Sequence, residues 1–215
     1  MGDLVVRRLT NPTDDEIERA SALLTEAFRS VTEDTFGASM TGGNPDLDQP
    51  FHRAHLRAGA IGGELWVAGF GPTDISAVAV WFGPGSALLA TEEQRAAGYN
   101  EVRSRFTPEL ERWWSEYFEP RSAQWIEACL GKGTAHKSWN LNLLATSVDH
   151  HHKGLATALL RTVDTRASSD GTMMYLETTT DANIKFYKNR GFVVRGDISI
   201  IGSGGEVTFT CLSKP

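Results

Sequence analysis

The C-terminal third of the chain alternates strand-like and helix-like runs with short connections, and nothing else in the sequence limits the fold as tightly. "SWNLNLLATSV" (138–148) reads as a strand, and a short polar loop follows it. Leu155, Leu159 and Val163 then share one face of a helix running to about Ser168, kept slim by Ala156, Ala158 and Ala167. "TMMYLETTT" (172–180) is a second strand, "DANIKFYKNR" (181–190) a second helix, and "GFVVRGDISIIG" with "GEVTFTCLS" a closing strand pair. That order predicts one mixed α/β unit with a sheet at its centre.

The N-terminal part is compatible with the same unit. "DLVVRRLT" reads as a strand and "NPTDDEIERASALLTEAF" as a helix. Asn11 is the expected cap, Pro12 fits the first turn, and Asp14 to Glu16 suit its positive end. Ile17, Ala20, Leu24 and Ala27/Phe28 form the stripe to be buried. "GASMTGGNPDLDQP" (37–50) is expected to be a loop, followed by a short helix from about Gln49 to Ala60. "ELWVAGFG" and "DISAVAVWFGPG" read as a hairpin turning through Gly71-Pro72. Residues 84–137 break the pattern: two helical stretches with Pro108 and Pro120 as boundaries, expected as a helical insert in a single domain spanning 1–215. Leu110, Trp114 and Tyr117/Phe118 follow helical spacing, so these aromatics, with Trp113 and Trp125, are expected to form the insert's core.

Charge narrows the partners. The 215 residues carry a formal net charge of -6, which argues against nucleic acid or an anionic membrane as partner. Neither "MGDLVVRRLT" nor any later stretch is apolar for long enough to predict a signal peptide or a membrane span. Two cysteines, Cys129 and Cys211, lie far apart and lack metal-ligand spacing, so a reducing, cytoplasmic compartment is expected.

The stretch "DHHHKGLATALL" (149–160) raises the question of chemistry. Three adjacent histidines do not converge on one point, and no Asp, Glu or Cys stands at a supporting spacing, so no metal is expected. A strand–loop–helix junction does point unpaired backbone N–H groups at whatever precedes the helix, which suits an anion such as a pyrophosphate. Gly154 lets the backbone come close, Ala156 leaves the turn uncrowded and Lys153 adds positive charge. The orders GxxxxGK[ST] and GxGxxG are both absent, so neither a Walker loop nor a dinucleotide fingerprint is present.

His151-His152-Lys153-Gly154-Leu155-Ala156 resembles the acyl-coenzyme A loop of the GCN5-related N-acetyltransferases (GNAT), Gln/Arg-x-x-Gly-x-Gly/Ala, with His151 as the departure. "LETTTDANIKFYKNRGF" is similar to that family's closing segment, where an Asn and a Tyr share a helix just before a Gly-Phe: Asn183, Tyr187, Gly191-Phe192. At i and i+4 the two side chains share a face. The resemblance spans about residues 139–195, and the 84–137 insert is similar to that of some fungal members. It implies a mixed, mostly antiparallel sheet flanked by helices, with acetyl-CoA as acyl donor. The implied donor-binding residues are Leu144, Ala145 and Thr146 on the strand, His151, His152, Lys153, Gly154, Leu155, Ala156 and Thr157 in the loop and first turn, and Asn183 with Tyr187. Lys185, Lys188 and Arg190 read as a solvated face or as partners of the coenzyme's phosphates.

The implied reaction is direct attack of a primary amine on the thioester. Main chain of Leu143 to Thr146 would meet the oxyanion, and Tyr187 would protonate the departing thiolate. The strand before the loop offers Trp139, Asn140 and Asn142 but no carboxylate; Glu177 on the next strand is the nearest candidate base, with His136 or a water relay as alternatives. Glu33, Asp34, Asp46 and Asp48 would suit a cationic small-molecule acceptor. Two other readings stay open: a non-catalytic acyl-CoA-binding module, and an interaction protein that docks a partner through the insert.

Overall fold

A computed structural model of the chain describes residues 2–30 and 36–215. It opens with β1 (Val5–Arg8), α1 (Asp14–Ser30), α2 (Phe36–Met40), α3 (Pro45–Gly62) and the hairpin β2 (Glu64–Gly69) and β3 (Ala77–Phe82). A helical stretch follows: α4 (Glu92–Gln94), α5 (Asn100–Arg103), α6 (Pro108–Arg112) and α7 (Glu119–Leu130), with a kink at Gly98 between α4 and α5 and a π-helical turn at Trp113–Phe118. The chain closes with β4 (Trp139–Thr146), α8 (Leu155–Asp170), β5 (Met174–Thr178), α9 (Asp181–Lys188), β6 (Val193–Gly202) and β7 (Gly205–Lys214).

The strands form one seven-stranded sheet in the order β1-β2-β3-β4-β5-β7-β6. Every neighbouring pair is antiparallel except β4 and β5. All six residues of β3 are buried, which is possible only because both sheet faces are covered. Alternation sends Ala77, Ala79 and Trp81 toward Leu155, Leu159 and Val163 of α8. It sends Val78, Val80 and Phe82 toward Ile17, Ala20 and Leu24 of α1 and Leu56 of α3. Fully burying a side chain such as Leu24, Leu56 or Phe82 stabilises by about 1.5–3 kcal/mol. Gly59 is what lets α3 come this close, since a Cβ there would lie 2.5 Å from Val80 Cγ1.

Three local expectations need correction. Asn11 does not cap α1. Thr13 does: its hydroxyl accepts from the Glu16 amide at 3.2 Å, while the Thr13 amide donates to the Glu16 carboxylate at 3.0 Å. This reciprocal pair is available only to Thr13, which stands three residues before a glutamate. Nor is 37–50 a single loop, because α2 and the first turn of α3 lie within it. Asn44 accepts from the Asp46 amide at 3.0 Å and Pro45 takes the first helical position, a start signal that outweighs the surrounding turn residues. Pro50 inside α3 cannot donate to the Asp46 carbonyl, and the Arg105 guanidinium donates to it instead at 3.3 Å.

Pro120, finally, ends nothing: the helix continues through it to Leu130. Its ring follows the wide π-helical turn Trp113–Phe118, where the i→i−4 ladder is already interrupted. That turn packs Trp114 onto Met40, Leu47, Phe51, Tyr99, Val102 and Leu110 in a third apolar cluster, beside the two that cover the sheet.

Candidate active site

β4 and β5 are the only parallel neighbours among the described residues, and they stay together briefly. Their register covers Trp139↔Met174 and Asn140↔Tyr175 and then ends. β4 continues beside β3 as far as Thr146, and β5 continues beside β7 as far as Thr178. Beyond Asn140, therefore, β4 has a strand on one edge only, and a gap opens in the middle of the sheet. Asn142 has no partner in the β3 register, a bulge opposite Val80/Trp81 that tightens the local twist. A cavity of about 1330 Å³ enters this gap, lined on β4 by Asn140, Leu141, Asn142, Leu143 and Leu144, and on β5 by Tyr175, Glu177 and Thr178.

Three polar groups on its wall can do chemistry. Glu177 is half-buried on β5, and burial pushes its carboxyl up to about 7, while the hydrogen bond from Asn140 pulls the other way. Tyr187 on α9 is only 7% exposed; burial raises its phenol, so it stays protonated, while the charge of Arg190 opposes the shift. Its ring is fixed edge-on between Phe186 and Phe192. Asn183, one turn earlier, is exposed and lines the same cavity, at the third position of a helix capped by Thr180.

The loop after β4 is a donor surface. His152 and Gly154 adopt left-handed φ of 60° and 87°, and a Cβ on Gly154 would meet nothing within 4 Å. α8 then starts at Leu155 with no side-chain cap. Its first helical bond is Ala158 to the Gly154 carbonyl, and no acceptor among the described residues meets the N–H groups of 152–157. Six consecutive free amides at a helix N-terminus form an anion cradle. His151 Nε2 lies 3.1 Å from the Thr146 carbonyl, and the Lys153 ammonium donates to the Asp149 carbonyl at 2.8 Å. Arg190 reaches the first turn of α8 from α9, donating to Thr157 Oγ1 at 2.6 Å while stacking on Phe186.

Comparisons with known proteins agree with this geometry. An acetyltransferase (GNAT) domain model matches residues 117–194. Among solved structures, the chain is similar to a histone acetyltransferase HPA2-related acetyltransferase from Corynebacterium glutamicum, at 20% identity and a TM-score of 0.57, covering 100% of this chain and 97% of that one. It is also similar to a polyamine N-acetyltransferase from Drosophila melanogaster that forms N-acetylagmatine, at 14% identity and a TM-score of 0.59, covering 98% and 99%. A GCN5-related N-acetyltransferase from Rhodopseudomonas palustris matches at 12% identity and a TM-score of 0.56, covering 100% and 96%. The GNAT domain model accounts for the 117–194 stretch, and the chain has the GNAT fold.

The residues singled out from sequence divide into two groups on this GNAT fold. Leu144, Glu177, Asn183, Tyr187 and His136 line the cavity. Residues 151–157 lie outside its lining and make the loop and first helical turn, with the Leu155 side chain in the core. Ala145 packs into the α1 side of the sheet, and Thr146 ends β4 with a buried hydroxyl that lacks a partner among the described residues. His150 stacks on Phe70, and no group of three His, Cys, Asp or Glu among the described residues could hold a metal. Lys185 and Lys188 are exposed.

The acceptor-side expectations fare differently. Glu33 and Asp34 lie outside the described residues. Asp46 is exposed and off the cavity; Asp48 lines it but is matched by Arg29 at 2.7 Å and Thr41 at 2.8 Å. Trp114, Phe118 and Trp125 are packed in apolar clusters as expected and line the cavity as well, so core and pocket share these rings. Sequence reasoning passed over His52 and His55, three residues apart on α3, both on the cavity wall. Two histidines on one face of an otherwise amphipathic helix were the signal. No helix among the described residues is long and apolar enough to cross a membrane. Cys129 and Cys211 are both free.

Proposed function

We propose that the whole chain is one acyl-CoA-dependent N-acetyltransferase unit that moves an acetyl group from acetyl-CoA to a small primary amine by direct attack. One observation carries this: β4 and β5 part after Asn140, the Glu177 carboxyl and the Tyr187 phenol line the cavity that enters the gap, and the strand so opened leads into the loop whose amides at 152–157 are free. The cradle and Arg190 fit the pyrophosphate of the coenzyme, since both supply donors with no protein acceptor of comparable charge. Acetyl-CoA supplies the thioester whose carbonyl carbon is attacked.

The protein's own groups divide the work. Glu177, poised near neutrality, accepts the proton that the amine must lose to become and remain nucleophilic. Main-chain N–H groups of Leu143 to Thr146 meet the oxygen as charge develops on it. The C–S bond breaks as C–N forms, and Tyr187, held protonated by burial, passes its proton to the sulfur. Glu177 then releases its proton to solvent and solvent reprotonates the phenolate, so the enzyme ends as it began. Asn183 borders the arm leading from the cradle to the sulfur.

The test is release of free coenzyme A thiol from acetyl-CoA across an amine library. Turnover with at least one primary amine, and an acetamide product by mass, is the expected result. Stabilisation by coenzyme A with no turnover on any amine would instead leave a binding module.

A further inference from the structure

The cavity's walls away from the β4–β5 gap carry information about the acceptor that the reaction chemistry does not. They include the rings of Phe28, Phe51, Tyr99, Trp114 and Phe118, on α1, α3 and the 92–130 segment. Of the described carboxylates on this side, Asp48 is matched by Arg29 and Glu119 by Arg103 at 3.0 Å, while Glu127 lines the cavity with no ion-pair partner among the described residues. Glu127 is exposed on α7. Among the described residues no unmatched carboxylate is buried on this side, so a second ammonium held there would be stripped of water without a buried counter-ion, which costs several kcal/mol.

His52 and His55 add the opposite preference. His55 Nδ1 lies 2.8 Å from the Phe51 carbonyl, which only accepts, so Nδ1 carries the proton. His52 Nδ1 lies 2.8 Å from Thr25 Oγ1, whose own hydrogen is committed to the Ser21 carbonyl at 2.8 Å. That fixes the same tautomer, because His52 must then be the donor. Each ring therefore keeps a bare Nε2 lone pair. Neither Nε2 has a hydrogen-bond partner among the described residues, His55 is only 6% exposed, and both rings line the cavity. Burial lowers both histidines to about 4, so they stay neutral acceptors at physiological pH. Phe28 stacks on His52 at 5.4 Å and Phe51 lies 4.1 Å from His55, holding the rings in place.

Resting on the acetyl-transfer reading, we infer that the acceptor is a primary amine with an apolar, ring-bearing body and a neutral hydroxyl or N–H donor at its far end, received by Nε2 of His52 and His55. The two histidines are specificity-determining residues. Aromatic walls take the body, and the absence of an unmatched buried carboxylate among the described residues of this side disfavours linear polycations.

The experiment compares kcat/KM, from thiol release, for phenethylamine and tyramine, for tryptamine and its 5-hydroxy form, and for agmatine and spermidine. The hydroxylated member should win in at least one ring pair by about tenfold or more, the worth of one well-placed hydrogen bond. Both ring pairs should outrun agmatine and spermidine. In His52→Leu and His55→Phe that preference should shrink toward unity through KM, with turnover of the unhydroxylated amine retained. Stabilisation by coenzyme A reports whether each variant is folded, and the half-buried His52 keeps the test open if His55→Phe does not fold. Preference for agmatine or spermidine, or indifference to the hydroxyl in both pairs, overturns the inference and leaves acetyl transfer standing. No thiol release with any amine removes the acetyl-transfer reading and this inference with it.

Discussion

The two halves of the cavity are built by different means. On the donor side, from β4 through α9, the functional groups are largely main chain: an opened strand edge, a left-handed glycine and six unpaired amides. Such a site tolerates almost any side chain that leaves the backbone path intact, which is why His151 can stand where the family's loop has Gln or Arg. On the proposed acceptor side the groups are side chains on helices distorted by Pro50, the kink at Gly98 and one π-helical turn. There each ring is placed by its neighbours, and exchanging one residue changes what fits. In the proposed reading a general donor is held by backbone, and a particular acceptor by side chains.

The largest expected break is on the donor side. Tyr187→Phe keeps the ring between Phe186 and Phe192 and removes only the proton. Its kcat should fall by roughly 10²–10⁴-fold, with little change in the KM for acetyl-CoA or in coenzyme binding. Steady-state kinetics near wild type would return the residue to the core and leave the leaving sulfur to be protonated by water.

Glu177→Gln should cost less, on the order of tenfold to a hundredfold in kcat/KM, because water can accept the amine proton. In the wild type, activity should climb as pH rises through about 7, where burial holds the carboxyl. The variant should lose that limb, and a limb that survives unchanged would assign it to another group, such as the amine itself. Stability has its own sign. Between about 4.5 and 7 the folded protein binds a proton that the unfolded chain has released, so stability contributed by this site declines as pH rises. Thermal unfolding of Glu177→Gln across that window should show a flatter slope.

The same division explains what the sequence disclosed. The β4–loop–α8–β5–α9 order is written in short-range pattern: period-2 strands, an apolar stripe on α8, and the Asn183/Tyr187 pair ahead of Gly191-Phe192. The β4–β5 gap was not legible, since a register that stops after two pairs is set by long-range packing of β3 and β7 on either side. α3 was started too late because the Asn44-Pro45 signal sits in a run of turn residues. Helix ended by proline is a local rule, and at Pro120 a π-helical turn overrode it. His52 and His55 were passed over because their meaning lies in hydrogen bonds to Thr25 and Phe51, which settle the tautomers and are visible only when folded.

A third expected effect separates binding from chemistry. Gly154→Val places a β-branched residue at φ 87°, a conformation such side chains avoid, so the loop path must change. Coenzyme A at about a hundred times its dissociation constant should stabilise the wild type by about 2.7 kcal/mol, and this melting shift should vanish in the variant. The open space around Gly154 predicts that the free variant still folds. An unchanged shift in a folded Gly154→Val protein would remove the loop from the coenzyme site.

The smallest effect sharpens the comparison from the acceptor side. Asn44 accepts from the Asp46 amide and fixes the start of α3, the helix that presents Asp48, Phe51, His52 and His55 to the cavity. Asn44→Ala should cost about 1 kcal/mol of stability, the usual worth of an N-cap. Arg105→Ala should cost less, since its 3.3 Å bond to the Asp46 carbonyl comes from an exposed side chain. Neither residue lines the cavity. If α3 is the acceptor's wall, fraying its first turn should raise the acceptor KM severalfold in Asn44→Ala, while the coenzyme A melting shift and the KM for acetyl-CoA stay as in the wild type. The contrast with Gly154→Val is the point: one variant loses the donor and keeps the acceptor wall, the other loosens the wall and keeps the donor. Equal changes in both Michaelis constants for Asn44→Ala would mean that the two halves do not act independently, and that the backbone and side-chain sites move as one body.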